Sequence, residues 1–192
     1  MKREFYKLFL IGIIVISIFL IVIENFTTLH AKVSFTETPS NVSISKSFSI
    51  EFSPELSEGI LFGEINFLPA DNVNASHNYD GEENASTLYI NVSEDGNTPV
   101  DFCIRGLSNL VNPGGDQIGL ANETYSHYNS SNLTHPTTSE IPLAPIYFKS
   151  GEDVPLGGIN YWRFWLDVPA GQPSGTYTNT VAFKAIEAGE NC

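Results

Sequence analysis

Between residues 42 and 52 apolar and polar side chains alternate with one interruption. Val42, Ile44, Phe48, Ile50 and Phe52 hold even positions, and Ser43, Ser45, Ser47 and Ser49 hold odd ones. Successive side chains of a strand point to opposite faces, so the pattern predicts a half-buried strand with serines toward water. Lys46 breaks the apolar row, as at a strand edge or bend. Beyond residue 31 no stretch carries an apolar 3.6-residue period with caps, so little helix is expected there.

Shorter candidates follow at 33–36, 60–67, 87–92, 100–104, 146–149, 160–168 and 176–186, separated by Gly, Pro, Asn and Asp clusters. Many short strands with such punctuation predict an all-β antiparallel sandwich. The last two candidates read as a hairpin: an apolar strand ending at Val168-Pro169, turn chemistry through Gly171, Pro173 and Gly175, then a return with Tyr177, Val181, Phe183 and Ala185 on one face. Trp162 and Trp165 point to opposite faces of one strand. Either both are covered, or one is core and the other serves an interface or sugar platform. Residues 70–85 and 121–141 are poor in apolar side chains and read as long surface loops.

Ahead of this, Lys2, Arg3 and Lys7 precede a charge-free, mainly apolar run at 8–23, with Ala31 before Lys32. Basic flank, apolar stretch and small residue form an export signal. Sixteen residues at about 1.5 Å each span about 24 Å, short of the roughly 30 Å hydrocarbon layer. The segment 1–31 is therefore a signal peptide cut between Ala31 and Lys32, or an uncleaved anchor. Residues 32–192 form one domain, delivered outside. The leader holds three of nine basic and two of twenty-two acidic residues, leaving six against twenty, a formal charge of −14. That balance repels nucleic acid and anionic headgroups.

Asn-x-Ser/Thr sequons occur at Asn25, inside the leader, and at Asn41, Asn74, Asn84, Asn91, Asn122, Asn129 and Asn132. These eight of seventeen asparagines exceed the about three that composition alone would place, which predicts an N-glycosylated outer surface. Asn122, Asn129 and Asn132, in the most polar stretch, are expected to be the most fully modified. Cys103 and Cys192 are the only cysteines, and no disulfide framework follows from two. Val100, Phe102 and Ile104 alternate with Asp101, Cys103 and Arg105, which places Cys103 on the polar face. A Cys103–Cys192 bond would then be a surface clasp for the tail, or a link between chains.

Trp165-Leu166-Asp167-Val168-Pro169 with Gly171, Pro173 and Gly175-Thr176-Tyr177 resembles the closing hairpin of secreted immunoglobulin-like modules on archaeal and bacterial surfaces. The step from Asn91 to Arg105, with Asp95-Gly96-Asn97 before Val100, is similar to theirs. The resemblance implies a single immunoglobulin-like β-sandwich, surface display and no catalytic residue. TasA/camelysin-like filament subunits share the layout of leader and sandwich.

Chemistry-bearing motifs are few. His77, His127 and His135 sit in polar stretches at no ligand spacing, so no metal site follows from them. No Gly-x-Ser-x-Gly elbow occurs. Asp71-Asn72-Val73-Asn74 and Asp80-Gly81-Glu82-Glu83 offer the hard oxygens that calcium takes, in neither case at the spacing of a calcium loop. The expectation is a non-enzymatic surface protein without a required cofactor, self-associating through a strand at 32–37 or binding other surface proteins. The alternative is a membrane-anchored module for a carbohydrate or protein ligand.

Overall fold

A computed structural model describes residues 6–7, 12–17, 41–81, 86–129 and 138–192. Contacts divide the chain into two units, Met1–Ser43 and Ile44–Cys192. In the first, residues 6–7 and 12–17 are helical, and Ser17 Oγ donates to the Ile13 carbonyl at 2.9 Å. No helix among the described residues is long and apolar enough to cross a membrane. Ala31, Lys32, Asn84, Asn132, His135, Glu82, Glu83 and the strand expected at 33–36 lie outside the described residues.

The second unit is all-β. In chain order it contains β1 (Ile50–Phe52), α1 (Pro54–Glu58), β2 (Ala70–Asn74), β3 (Tyr89–Val92), β4 (Val100–Gly106), β5 (Leu110–Val111) and β6 (Gln117–Ile118). Then come β7 (Glu123–Asn129), β8 (Ile141–Pro142), β9 (Phe148–Val154), β10 (Ile159–Val168) and β11 (Val181–Glu187). A six-stranded antiparallel sheet runs β1-β3-β10-β7-β8, with β2 pairing β10 further along the edge that β3 occupies. A three-stranded sheet runs β11-β4-β9, and β5 and β6 pair as a small hairpin.

The two larger sheets share one core. Ile90, Val92, Trp162 and Phe164 come from the first; Val100, Phe102, Ile104 and Val154 come from the second. Trp162 lies edge-on to Phe102 at 5.5 Å and to Phe183 at 5.1 Å, and Phe183 meets Phe52 at 5.6 Å. This ring chain ties β1, at one edge of the first sheet, to β11, at one edge of the second. α1 follows from its sequence: Ser53 caps it by accepting from the Leu56 amide at 3.1 Å, Pro54 starts it, and Gly59 at φ 118° ends it. It buries Leu56 in the core.

Several expectations are corrected. Of the alternating segment 42–52, only Ile50–Phe52 pairs as strand, with β3. Val42 and Ile44 are 86% and 79% exposed. Upstream of β1 the chain is held by Asn97, whose amide and side chain bind the backbone of Ser47 and Ser45, so those groups are taken from any ladder. Residues 60–67 form no strand; Phe62 and Ile65 are half-buried against the core while Phe67 is exposed. The hairpin does not form either. Both edges of β10 are filled, by β3 and β2 on one side and β7 on the other, so β11 crosses over and pairs β4. The faces of that return are as expected, with Val181, Phe183 and Ala185 packed on the core.

The two expected loops both contain strands. β2 lies in the first, and Tyr79 there is buried against Tyr161. β7 occupies the second and pairs seven residues with β10, so His127 sits in a strand rather than a loop. Its Glu123, Thr124 and Ser126 are buried with almost no aliphatic neighbour in sequence. Both tryptophans are covered, Trp162 fully and Trp165 at 7% exposed.

Candidate functional site

β4 is central in its sheet, and burial covers both of its faces. Asp101 and Cys103, assigned to an exposed face by alternation, are 1% and 0% exposed. The tail provides the cover. The Ala188 amide donates to the Pro99 carbonyl at 3.1 Å, the Gly189 amide to Asp101 Oδ2 at 2.9 Å, and Cys192 is disulfide-bonded to Cys103 with Cα atoms 5.8 Å apart. The bond closes within the chain and beneath the tail, so the surface thiol expected from alternation is a buried sulfur.

Asp101 organises this face. It also accepts from Lys149 Nζ at 2.8 Å and from the Asp153 amide at 2.8 Å. Burial works to raise its carboxyl, but these charged and backbone donors outweigh it and hold the group below its ordinary 3.8. Asp153 adopts φ 50°, a left-handed conformation that points its amide at the carboxylate. Further along the same face, the Arg105 guanidinium carbon stands 4.4 Å from the centre of the Tyr147 ring, and Lys184 Nζ stands 5.6 Å from it.

A second feature lies between β8 and the start of β9, at the flank opposite the Phe52–Phe183 contact. Leu120, Ile141, Pro142, Leu143, Pro145 and Phe148 line an open, almost wholly apolar groove of about 700 Å³. Leu120 and Leu143 belong to the main core, so the groove reaches into it from outside. Beside it, buried Glu123 accepts from Asn179 Nδ2 at 2.6 Å. Burial raises this carboxyl to about 7, against the opposing pull of the Asn179 bond. Burial likewise lowers His127 from 6.5.

The other expected positions are dispersed. Among the sequons, Asn41 and Asn74 are exposed, Asn91 is half-buried and paired to both β1 and β10, and Asn122 is half-buried in a 3-10 turn. Asn129 ends β7. Asp71–Asn74 lies within β2, where the Asn72 amide donates to Asp167 Oδ1 at 2.7 Å. His77 is exposed, with Nδ1 3.0 Å from the Ser86 carbonyl. Among the described residues no group of three or more His, Cys, Asp or Glu side chains is placed to hold a metal ion. Sequence reading missed Asp101, Lys149, Tyr147 and the groove. The available signal was the acid two positions before Cys103 in a strand of apolar residues; the groove's residues come from separate turns and left none.

No protein-family model matches the chain, and no curated protein matches its sequence.

Proposed function

We propose that the chain is an exported, N-glycosylated, non-enzymatic surface subunit, an immunoglobulin-like β-sandwich that assembles with copies of itself by exchange of an N-terminal strand. The observation that carries this is the apolar flank between β8 and β9, together with exposed apolar side chains ahead of β1. Val42 and Ile44 repeat at strand spacing with their side chains in water, and the groove exposes the core edge that a strand from another copy would cover. Apolar surface of this kind stabilises about 1.5–3 kcal/mol per large side chain when covered. The exposed sequons at Asn41 and Asn74, and a disulfide of the sort that persists in oxidising compartments, support an extracellular setting. Deleting residues 32–37 is expected to leave folded monomers that no longer polymerise, seen by electron microscopy and sedimentation. Filaments from the truncated chain, or none from the intact one, would refute strand exchange.

A second reading has its own support. A groove of about 700 Å³ lies within the range of small-ligand sites, so a monomeric anchored module would use it to hold an apolar ligand. Monomers that bind an apolar dye there, with no polymer at any concentration, would favour that reading.

A further inference from the structure

We propose that Arg105, Tyr147 and Lys184 form a carboxylate-binding site on the outer face of the β11-β4-β9 sheet, and that its occupant is the Glu51/Glu55/Glu58 surface of a second copy. The proposal rests on the self-assembly reading and supplies a second contact for it, apart from the exchanged strand.

The argument begins with scarcity of positive charge. From residue 41 onward the chain has five basic side chains: Lys46, Arg105, Lys149, Arg163 and Lys184. Three of the five lie on one sheet face, since Arg105 shares the outer side of β4 with Asp101 and Cys103, and Lys149 and Lys184 stand opposite Cys103 on the neighbouring strands. Lys149 is paired with Asp101, and Lys46 with Glu187. Neither Arg105 nor Lys184 is paired with a side-chain carboxylate among the described residues; Lys184 reaches a main-chain oxygen of Cys192, the last residue of the sequence, at 3.4 Å. Both crowd the same Tyr147 ring. A ring face attracts one cation well, and a second beside it adds repulsion that an anion would cancel. Arg105 Nε is also shut off from water without an acceptor. The planar fork of Arg, stacked on an aromatic ring, suits a carboxylate.

The rest of the chain selects the partner. With twenty acidic residues against six basic ones after the leader, two copies repel over most of their surfaces and attract where this face meets an acidic one. Ile50 and Phe52 of β1 turn inward, so Glu51 points out from the six-stranded sheet, on the opposite side of the unit from Arg105. Glu58 follows on α1 and is exposed, while Glu55 beside it is partly buried, with Oε2 shut off from water and without a hydrogen-bond partner. A basic face meeting an acidic back is a heterologous contact, which repeats in one direction instead of closing a dimer.

The test is a charge exchange in the full-length chain. Arg105→Glu with Lys184→Glu reverses one side; Glu51→Lys, Glu55→Lys and Glu58→Lys together reverse the other. Each variant alone should lose association by at least about tenfold in sedimentation velocity, and an equimolar mixture should regain it, because each reversed surface then meets its opposite. Association of the unaltered protein should weaken as salt rises from 0.05 to 0.5 M, over which the Debye length shrinks several-fold (about 10 Å at 0.1 M), and this measurement stands even if a variant fails to fold. Variants that associate normally, a mixture that stays monomeric, or salt-insensitive association would overturn the site. If charge exchange has no effect while deletion of residues 32–37 abolishes assembly, strand exchange stands and the present proposal alone falls. An intact protein that never associates overturns both.

Discussion

Glu123 and Asp101 are both carboxyls almost out of contact with water, and their neighbours drive them in opposite directions. Asp101 receives one ammonium and two amides, whereas Glu123 receives a single amide from Asn179. The consequence for pH is opposite in sign. The raised group, Glu123, contributes stability that is complete below its ordinary 4.5 and is lost as pH rises through about 7. Glu123→Gln keeps an acceptor for Asn179 and removes the charge, so it should stabilise the protein at pH 8 by up to about 3 kcal/mol and leave it little changed at pH 4. Urea midpoints at the two values measure this; equal shifts at both would contradict it. The depressed group, Asp101, contributes stability present above 3.8 and lost as pH falls below it toward its folded value. Asp101→Ala strands Lys149 and the amides of Asp153 and Gly189, and should cost about 3 kcal/mol at pH 7 by urea titration.

At the scale of elements, the disulfide and the tail act as one. The bond spans 89 positions, a loop worth about 4.6 kcal/mol in the chain-entropy account. Cys103→Ser with Cys192→Ser should therefore destabilise by about 2–5 kcal/mol. Hydrogen exchange at Gly189 and Asp153 should accelerate with it, because the tail that shelters Asp101 is released. Unchanged exchange there would mean that the tail holds on by hydrogen bonds alone. Which elements could be read from sequence follows from what each strand must bury. β3, β4, β10 and β11 announce themselves through Ile90, Phe102, Trp162 and Phe183, apolar residues that face the core. β7 does not: it buries Glu123, Thr124 and Ser126, whose polar atoms are compatible with the interior only because neighbours supply partners, such as Asn179 for Glu123 and Glu140 for Thr124 at 2.7 Å. Residues 42–49 fail in the other direction. Their alternation fits a strand apart from Lys46, yet Asn97 claims the backbone that a partner strand would need. The outer face of β4 was misread because alternation shows which way a side chain points, and not what lies over it.

For the whole molecule, the proposed export and glycosylation can be checked by mass. The exported form should begin at Lys32, and an intact mass that still includes residues 1–31 would identify an anchored protein. Glycopeptide mapping should find Asn41 and Asn74 occupied, since both are exposed, and Asn91 bare, since it is half-buried and flanked by paired strands on both sides. An occupied Asn91 would place modification before folding.

The clasp at Asn97 also determines how this protein responds to being pulled. A chain held by its N-terminal side would take tension through residues 45–49. There Asn97 meets Ser45 and Ser47, Ser93 meets Ser49, and Lys46 meets Glu187 on β11. Tension entering from that side meets these contacts before it reaches β1. Beyond them, β1 is locked to β3, and Cys192 is joined covalently to β4, so the tail cannot peel back to free β11. Rupture under load is governed by the unfolding rate. The short stretch that forms no strand would thus be the first part of the fold to meet a pull from the N-terminal side.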